Sequence, residues 1–176
     1  MKRYLPAIAA LMLLSTPAGV EAQDTEWNRY TLDGLGGVFL RAEADGACES
    51  AGVTVSSLLA GSAVKLIEAN VDVLTEEQML ENAALPELRI TVECVAGSGN
   101  GAAGALAYGV SVRVQQSAQM IRDAQVTLPE AVTWYATELG VASSADAAAA
   151  LESAIDRKIE QFAAAYVAAN AEDSGN

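Results

Sequence analysis

The sequence predicts a two-layer α+β sandwich. It consists of a mixed sheet of about five strands, two long helices and one short helix, with the long helices on one face of the sheet and the other face open. Two stretches, 87–96 and 106–116, alternate between apolar and polar residues, which is typical of strands with one buried and one solvated face. Amphipathic helical stretches lie near both ends of the domain. Packed on the apolar face of the sheet, these helices would form the second layer.

The composition excludes several classes of function. The chain has 176 residues, no His, two Cys and a net charge of −13. This length suits one domain with a single core. Without His, the chain has neither the imidazole base of a His triad nor the usual ligands of a zinc hydrolase. The negative charge argues against nucleic acid or an anionic membrane as a partner. We expect no cofactor.

Residues 1–22 are predicted to be a secretory signal peptide. Lys2 and Arg3 form its charged start, an apolar stretch follows over 5–14, and small residues precede the expected cleavage after Ala22. The apolar stretch is shorter than the roughly 20 residues that a membrane span needs. We therefore expect an exported protein, periplasmic or extracellular. The predicted division of the chain is signal peptide 1–22, single α+β domain 23–170 and polar tail 171–176.

Cys48 and Cys94 are the only cysteines, so one intramolecular pairing is possible. A structural disulfide is the default in the oxidising compartments that exported proteins reach. Because the two residues are far apart in sequence, they do not form the Cys-x-x-Cys pattern of a redox pair. We therefore expect a Cys48–Cys94 disulfide, which would stabilise the domain by roughly 3–4 kcal/mol through loop closure.

The first part of the domain is predicted to be a strand followed by a long helix. Residues 38–43 alternate between apolar and polar side chains and are expected to form the strand. Residues 44–52 are predicted to be a loop that holds Cys48. Thr54 is a good N-cap for the helix, which is expected to end near Asn70.

A second strand and a short helix are predicted next. Residues 71–74 are expected to form a short strand. Thr75 begins a capping box, in which the side chains of residues 75 and 78 would satisfy main-chain N–H groups at the helix start. This helix is predicted to end near Asn82, before the strand over 87–96.

The second half of the sheet is predicted to be antiparallel. A glycine-rich loop over 97–104 connects the strands 87–96 and 106–116. A turn is expected at Arg122-Asp123, followed by a third long strand over 126–137. Pro129 in this strand predicts a β-bulge or an edge position, because proline cannot donate a hydrogen bond within a sheet.

The last element is predicted to be the longest helix, capped by Ser143 or Ser144, with one narrow apolar stripe. Trp134 is predicted to lie in the core beneath this stripe, because it shares a strand face with Val132 and Ala136. The stripe consists of Ala148, Leu151, Ile155, Ile159, Phe162 and Tyr166.

The glycine-rich loop matches the spacing of a dinucleotide-binding fingerprint, with Gly99, Gly101 and Gly104 at the required positions. That motif needs a helix immediately afterwards, because the helix N-terminus holds the pyrophosphate. Residues 106–116 alternate as a strand instead. The loop is therefore predicted to be a hairpin connection.

Several segments resemble a group of small secreted bacterial proteins. These segments are 34–38, 52–54, 68–74, 86–90 and Gln161-Phe162 with Tyr166. The order of elements is similar to that of the anticodon-binding-like α/β domain of envelope proteins, such as the N-terminal domain of TolB, the CsgG-type assembly proteins and LpoB. The resemblance implies a non-enzymatic role in the cell envelope, by analogy of fold. It carries over no catalytic residue.

The outer face of the predicted sheet carries the candidate site. Three arginines would project from three different strands, together with two hydroxyl-bearing residues of a fourth, and Arg and Tyr are favoured anchors of protein interfaces. The alternative is that the arginines only pair across the sheet with Glu43 and Glu93. The candidate partner-binding residues are Arg41, Arg89, Arg113, Thr133 and Tyr135.

The sequence supports two hypotheses about function. The first is a secreted, periplasmic, non-enzymatic binding or accessory module of the cell envelope that acts through a protein partner. The second is a small His-free hydrolase or a calcium-binding protein that uses carboxylate or serine side chains in the loops 45–49 or 97–104. An enzyme would show a concave site with convergent polar groups, whereas a binding module would show an open sheet face.

Overall fold

The computed structural model describes residues 26–99 and 101–171 and confirms the α+β class. The predicted signal peptide and residues 172–176 of the predicted tail lie outside the described residues. The helices are α1 (Glu26–Tyr30), α2 (Gly46–Ser50), α3 (Val55–Glu68), α4 (Glu76–Glu81) and α5 (Ala147–Asn170). The strands are β1 (Val38–Ala44), β2 (Val73–Leu74), β3 (Glu87–Ala96), β4 (Ala105–Met120) and β5 (Asp123–Ser143).

The sheet is mixed, as predicted, and has the strand order β2-β1-β3-β4-β5. β1 runs parallel to both β2 and β3, whereas β3, β4 and β5 are antiparallel neighbours. The two long helices, α3 and α5, pack against each other, α3 on β1 and α5 on β4 and β5. They cover one face of the sheet, and they do not cover the other face, which carries Arg41, Arg89 and Arg113. The core between the layers includes Leu88, Ile90, Val110, Val112, Val114, Leu151, Ile159 and Phe162.

The helix starts follow local hydrogen-bonding rules. Thr54 and Ser57 form a capping box at α3, and Thr75 and Gln78 form the predicted one at α4. Asn70 follows the C-cap of α3 in the left-handed conformation that Asn tolerates well, as expected for the end of this helix. The predicted cap of α5 is wrong: Asp146 is the N-cap residue.

Two short helices were not expected from the sequence. Residues 44–52 are not a simple loop, because α2 occupies Gly46–Ser50. The helix α1 also lies in a segment with no predicted element. Each has only five residues, which is too short for an amphipathic pattern to be visible.

The strands β4 and β5 are longer than predicted and form a two-stranded arm. Residues 121–130 around the turn are all exposed, so this arm has no alternating burial to mark it as strand. The predicted Arg122-Asp123 turn lies at its tip, between Met120 and Asp123. Pro129 lies on the edge strand β5 beside a register shift, which confirms the predicted edge or bulge position.

A β-bulge changes the faces of β5. Val114 pairs with Trp134, but the next residue, Gln115, pairs with Val132, so Thr133 is the extra residue. The prediction that Val132 points into the core is therefore wrong, and its side chain is half exposed. Trp134 is fully buried, as predicted, with its ring 5.3 Å from that of Phe162 in an edge-on arrangement.

The Cys48–Cys94 disulfide is confirmed, with the two Cα atoms 5.2 Å apart. The pairing follows from the parallel arrangement of β1 and β3, whose ends place α2 beside Cys94. Such a bond is typical of proteins exported to oxidising compartments. Within the described ranges, the structure contains no helix with the length and apolar character to cross a membrane.

Candidate functional site

Four of the five predicted partner-binding residues form one row across the open face. Arg41 is the register partner of Arg89, Arg89 of Arg113, and Arg113 of Tyr135. The row therefore crosses β1, β3, β4 and β5 at a single level. Side chains directly opposite each other on neighbouring strands are close enough to interact. We call these four residues the arginine row.

One carboxylate holds two of the arginines. Glu87 Oε2 accepts a hydrogen bond from Arg41 Nε at 2.7 Å, and Glu87 Oε1 accepts one from Arg89 Nε at 2.7 Å. Burial acts to raise the pKa of Glu87, but the hydrogen bonds and charges of the two arginines outweigh it and hold that pKa below its ordinary value. Arg89 also lies 3.7 Å from a carboxylate oxygen of Glu43.

The predicted cross-strand pairing is thus only partly right. Glu43 does pair with Arg89, but the described salt bridges of Arg41 and Arg89 go to Glu87 and Glu43 and none goes to Glu93. Glu87 was the residue that sequence reasoning missed. Its position two residues before Arg89 placed it on the same face, but only the register of β1 on β3 brings it near Arg41.

Arg113 differs from the other two arginines. It has no carboxylate partner among the described residues, and its Nε is buried without a hydrogen-bond partner there. Two neighbours on the same face, Thr91 and Gln115, also have a buried side-chain oxygen without a partner in the described part of the chain. Buried polar atoms in native proteins are usually satisfied. The centre of the open face therefore has unused hydrogen-bonding capacity.

Thr133 does not belong to the arginine row. As the extra residue of the bulge, Thr133 does not follow the alternation that would place it on the same face as Tyr135. Its hydroxyl accepts a hydrogen bond from Gln116 Nε2 at 2.7 Å. The same amide also donates to the carbonyl oxygen of Thr31 at 2.8 Å. Thr133 is thus linked through Gln116 to Thr31, in the segment after α1. An alternating sequence pattern could not predict this contact.

The open face becomes apolar towards the end of the sheet near the 97–104 loop. Val95, Leu139 and Val141 are 69%, 87% and 72% exposed. Ala107 lies between Val95 and Val141 in the strand register, so these side chains are neighbours. The arginine row and this apolar patch therefore share one continuous surface.

The acidic loop near Cys48 has a structural role. Asp45 Oδ1 accepts hydrogen bonds from the N–H groups of Ala47 and Cys48, and Oδ2 accepts one from Cys94 N–H at 2.7 Å. These bonds, the one from Cys94 first, lower the pKa of Asp45. The carboxylate and both cysteine sulfurs lie within 4.8 Å of one another, but the sulfurs are bonded to each other and are not thiolates. This group therefore caps α2 and ties it to β3.

The glycine-rich loop is a hairpin connection, as predicted. Gly97 N–H donates to the carbonyl oxygen of Ala105 at 2.8 Å, and the strand β4 follows directly. A dinucleotide fingerprint would require a helix at this point.

Comparison with known proteins does not assign the chain to a family. No family model matches it, and no curated protein matches it either. We therefore infer the function of the chain from the residues of the open face.

Proposed function

We propose that this chain is an exported, non-enzymatic binding module of the cell envelope, located in the periplasm, that docks a protein partner on its open sheet face. The observation that carries the proposal is the arginine row, with Arg113 at its centre and without an ion-pair partner in the described chain. Arg and Tyr are enriched among the residues that dominate binding energy at protein interfaces. The resemblance to envelope proteins points to the same role.

The combination of the two surfaces also supports a protein partner. Protein interfaces combine apolar area with hydrogen-bonding groups, and Arg and aromatic residues are enriched in them. Here the exposed side chains of Val95, Leu139 and Val141 adjoin the polar centre of the face. A partner that covers both would bury apolar area and also offer acceptors to Arg113.

The test is site-specific photo-crosslinking in the native cell envelope. A photoreactive amino acid replaces Tyr135 in the arginine row, and a control replaces Val64, which is exposed on α3 in the helical layer. We expect a discrete crosslinked species only from position 135. The same experiment is repeated with Arg113→Ser, and we expect the species to be lost.

The matched charge control is Arg122→Ser at the tip of the arm, about 30 Å along the strand from Arg113. It should leave the crosslink unchanged. If Arg113→Ser folds normally and the crosslink persists, the arginine row is not the docking site. If Arg113→Ser unfolds the domain, the arginine is structural and the proposal fails for this residue.

A further inference from the structure

A small cavity opens on the same face beside the arginine row. Its volume is about 220 Å³, which is below the roughly 300–1,000 Å³ of sites for drug-sized ligands. Leu80 of α4 and Pro129 of the β5 arm are among its apolar lining residues. The polar residues that line it are Arg41, Glu76, Glu87, Gln115 and Glu130.

The charges that line the cavity do not balance. Of the three carboxylates that line it, Glu87 is paired with Arg41 and with Arg89 outside the cavity, whereas Glu76 and Glu130 have no ion-pair partner within the described chain. Arg41 is committed to Glu87 through its Nε. Glu76 and Glu130 are close enough to Arg41 to raise its pKa further, after the larger effect of Glu87. The cavity therefore has room and charge for one more cation.

Gln115 gives an independent sign of a ligand. Its side chain is more than nine-tenths buried, it lines the cavity, and its Oε1 has no hydrogen-bond partner in the described residues. A buried acceptor without a donor costs about 1–3 kcal/mol. A ligand that brings an N–H donor would remove this cost.

We propose that this cavity binds the ammonium or guanidinium group of a lysine or arginine side chain that the partner presents. The inference rests on the proposed function and adds the chemistry of the partner. The aliphatic stem of such a side chain would pack on Leu80 and Pro129, because Lys and Arg keep apolar stems beside apolar surface. Its N–H groups would donate to Gln115 Oε1, and its charge would lie near Glu76 and Glu130.

The test uses small probes that need no partner protein. N-acetyl-arginine methylamide and N-acetyl-lysine methylamide are titrated into the folded chain, and NMR follows the side-chain amide of Gln115 and the backbone amides of residues 76, 115 and 130. N-acetyl-citrulline methylamide is the matched control, because it has the size and shape of arginine without the charge. We expect saturable shifts with either charged probe at millimolar concentration, and at least tenfold weaker binding of the citrulline probe.

Two variants assign the site. Glu76→Gln and Glu130→Gln together should weaken binding of the charged probes at least tenfold, and Gln115→Leu at least threefold. Glu81→Gln on the same helix is the control, because Glu81 does not line the cavity, and it should change binding less than twofold. An unchanged amide spectrum elsewhere verifies the fold of each variant.

Three results with these probes and variants would overturn the inference. These are no saturable shift with either charged probe, equal binding of the citrulline probe, or equal weakening by Glu81→Gln. None of them affects crosslinking from position 135, so a failure here is distinct from a failure of the proposed function. Equal shifts on addition of Ca²⁺ alone would assign the cavity to a metal ion instead and also overturn it.

Discussion

Arg89 and Arg113 lie directly opposite each other on β3 and β4, but only Arg89 has a carboxylate partner within the described chain. Like charges in register on neighbouring strands are destabilising. Arg89 is compensated by Glu87 and Glu43, whereas Arg113 is not. Arg113 is therefore unfavourable for the stability of the isolated chain, as residues that act in binding often are.

Removal of Arg113 should therefore affect stability less than removal of Arg89. Arg113→Ser should leave the free energy of unfolding within about 0.5 kcal/mol or raise it slightly, because it removes a repulsive charge. Arg89→Ser should lower it by about 1 kcal/mol, since Arg89 is largely buried and forms two ion pairs. Urea denaturation of both variants measures this, and a larger loss for Arg113→Ser would contradict it.

Asp45→Asn should destabilise the domain in a pH-dependent way. Asn keeps one oxygen for the start of α2 but presents an N–H group towards the N–H of Cys94, which leaves that donor unpaired. We expect a loss of about 1–3 kcal/mol at neutral pH.

The sign of the pH dependence follows from the lowered pKa of Asp45. A carboxyl group whose pKa is lowered in the folded state stabilises that state at pH values above its unfolded pKa, here near 3.8. This contribution is lost as the pH falls through the pKa of the folded state. The difference in free energy of unfolding between wild type and Asp45→Asn should therefore reach its full value above about pH 5 and become smaller below about pH 4. The control is Glu93→Gln, and a difference that stays constant down to pH 2 would refute the assignment.

The native protein should contain no titratable thiol. Cys48 and Cys94 are bonded, and they enclose a loop with a sequence separation of 46 residues. The double variant Cys48→Ala, Cys94→Ala should lose about 2–5 kcal/mol of stability. Ellman titration before and after reduction, with thermal melts of both forms, measures this. Two free thiols in unreduced protein would contradict the structure.

Trp134→Ala should cost about 3–5 kcal/mol, which is close to the whole stability of many domains. The expected loss comes from the cavity beneath α5 and the lost contact with Phe162. Trp134→Phe should cost clearly less, because it keeps an aromatic ring and removes the indole N–H, which is buried without a hydrogen-bond partner in the described residues. Melting temperatures of the two variants provide the comparison, and equal losses would refute the argument.

Gly140→Ala and Gly61→Ala should act in opposite directions. A Cβ at Gly140 would lie 2.3 Å from the ring of Tyr108 on the neighbouring strand, so we expect a loss of about 1–3 kcal/mol. A Cβ at Gly61 meets no atom within 4 Å in the described structure, and its position in α3 favours alanine by about 0.5–1 kcal/mol. Chemical denaturation tests both, and a neutral Gly140→Ala would show that Tyr108 moves aside freely.

The sequence by itself determined the long elements and their buried faces. The alternation over β3 and the apolar stripe of α5 reflect burial, which is the strongest signal in a sequence. The N-cap at Thr54 and the capping box at Thr75 depend on local sequence and could also be predicted, whereas the part of Ser57 in the Thr54 box was not predicted. The single pair of cysteines left no choice of connectivity.

Only the tertiary structure decided the register and what depends on it. A shift of one residue moves every side chain to the other face, and the bulge at Thr133 did this to Val132. The exposed arm of β4 and β5 has no burial pattern to reveal it. The partner of Arg41 and Arg89 could not be read from spacing either, because Glu87 meets Arg41 only where two parallel strands, distant in sequence, come together in one register.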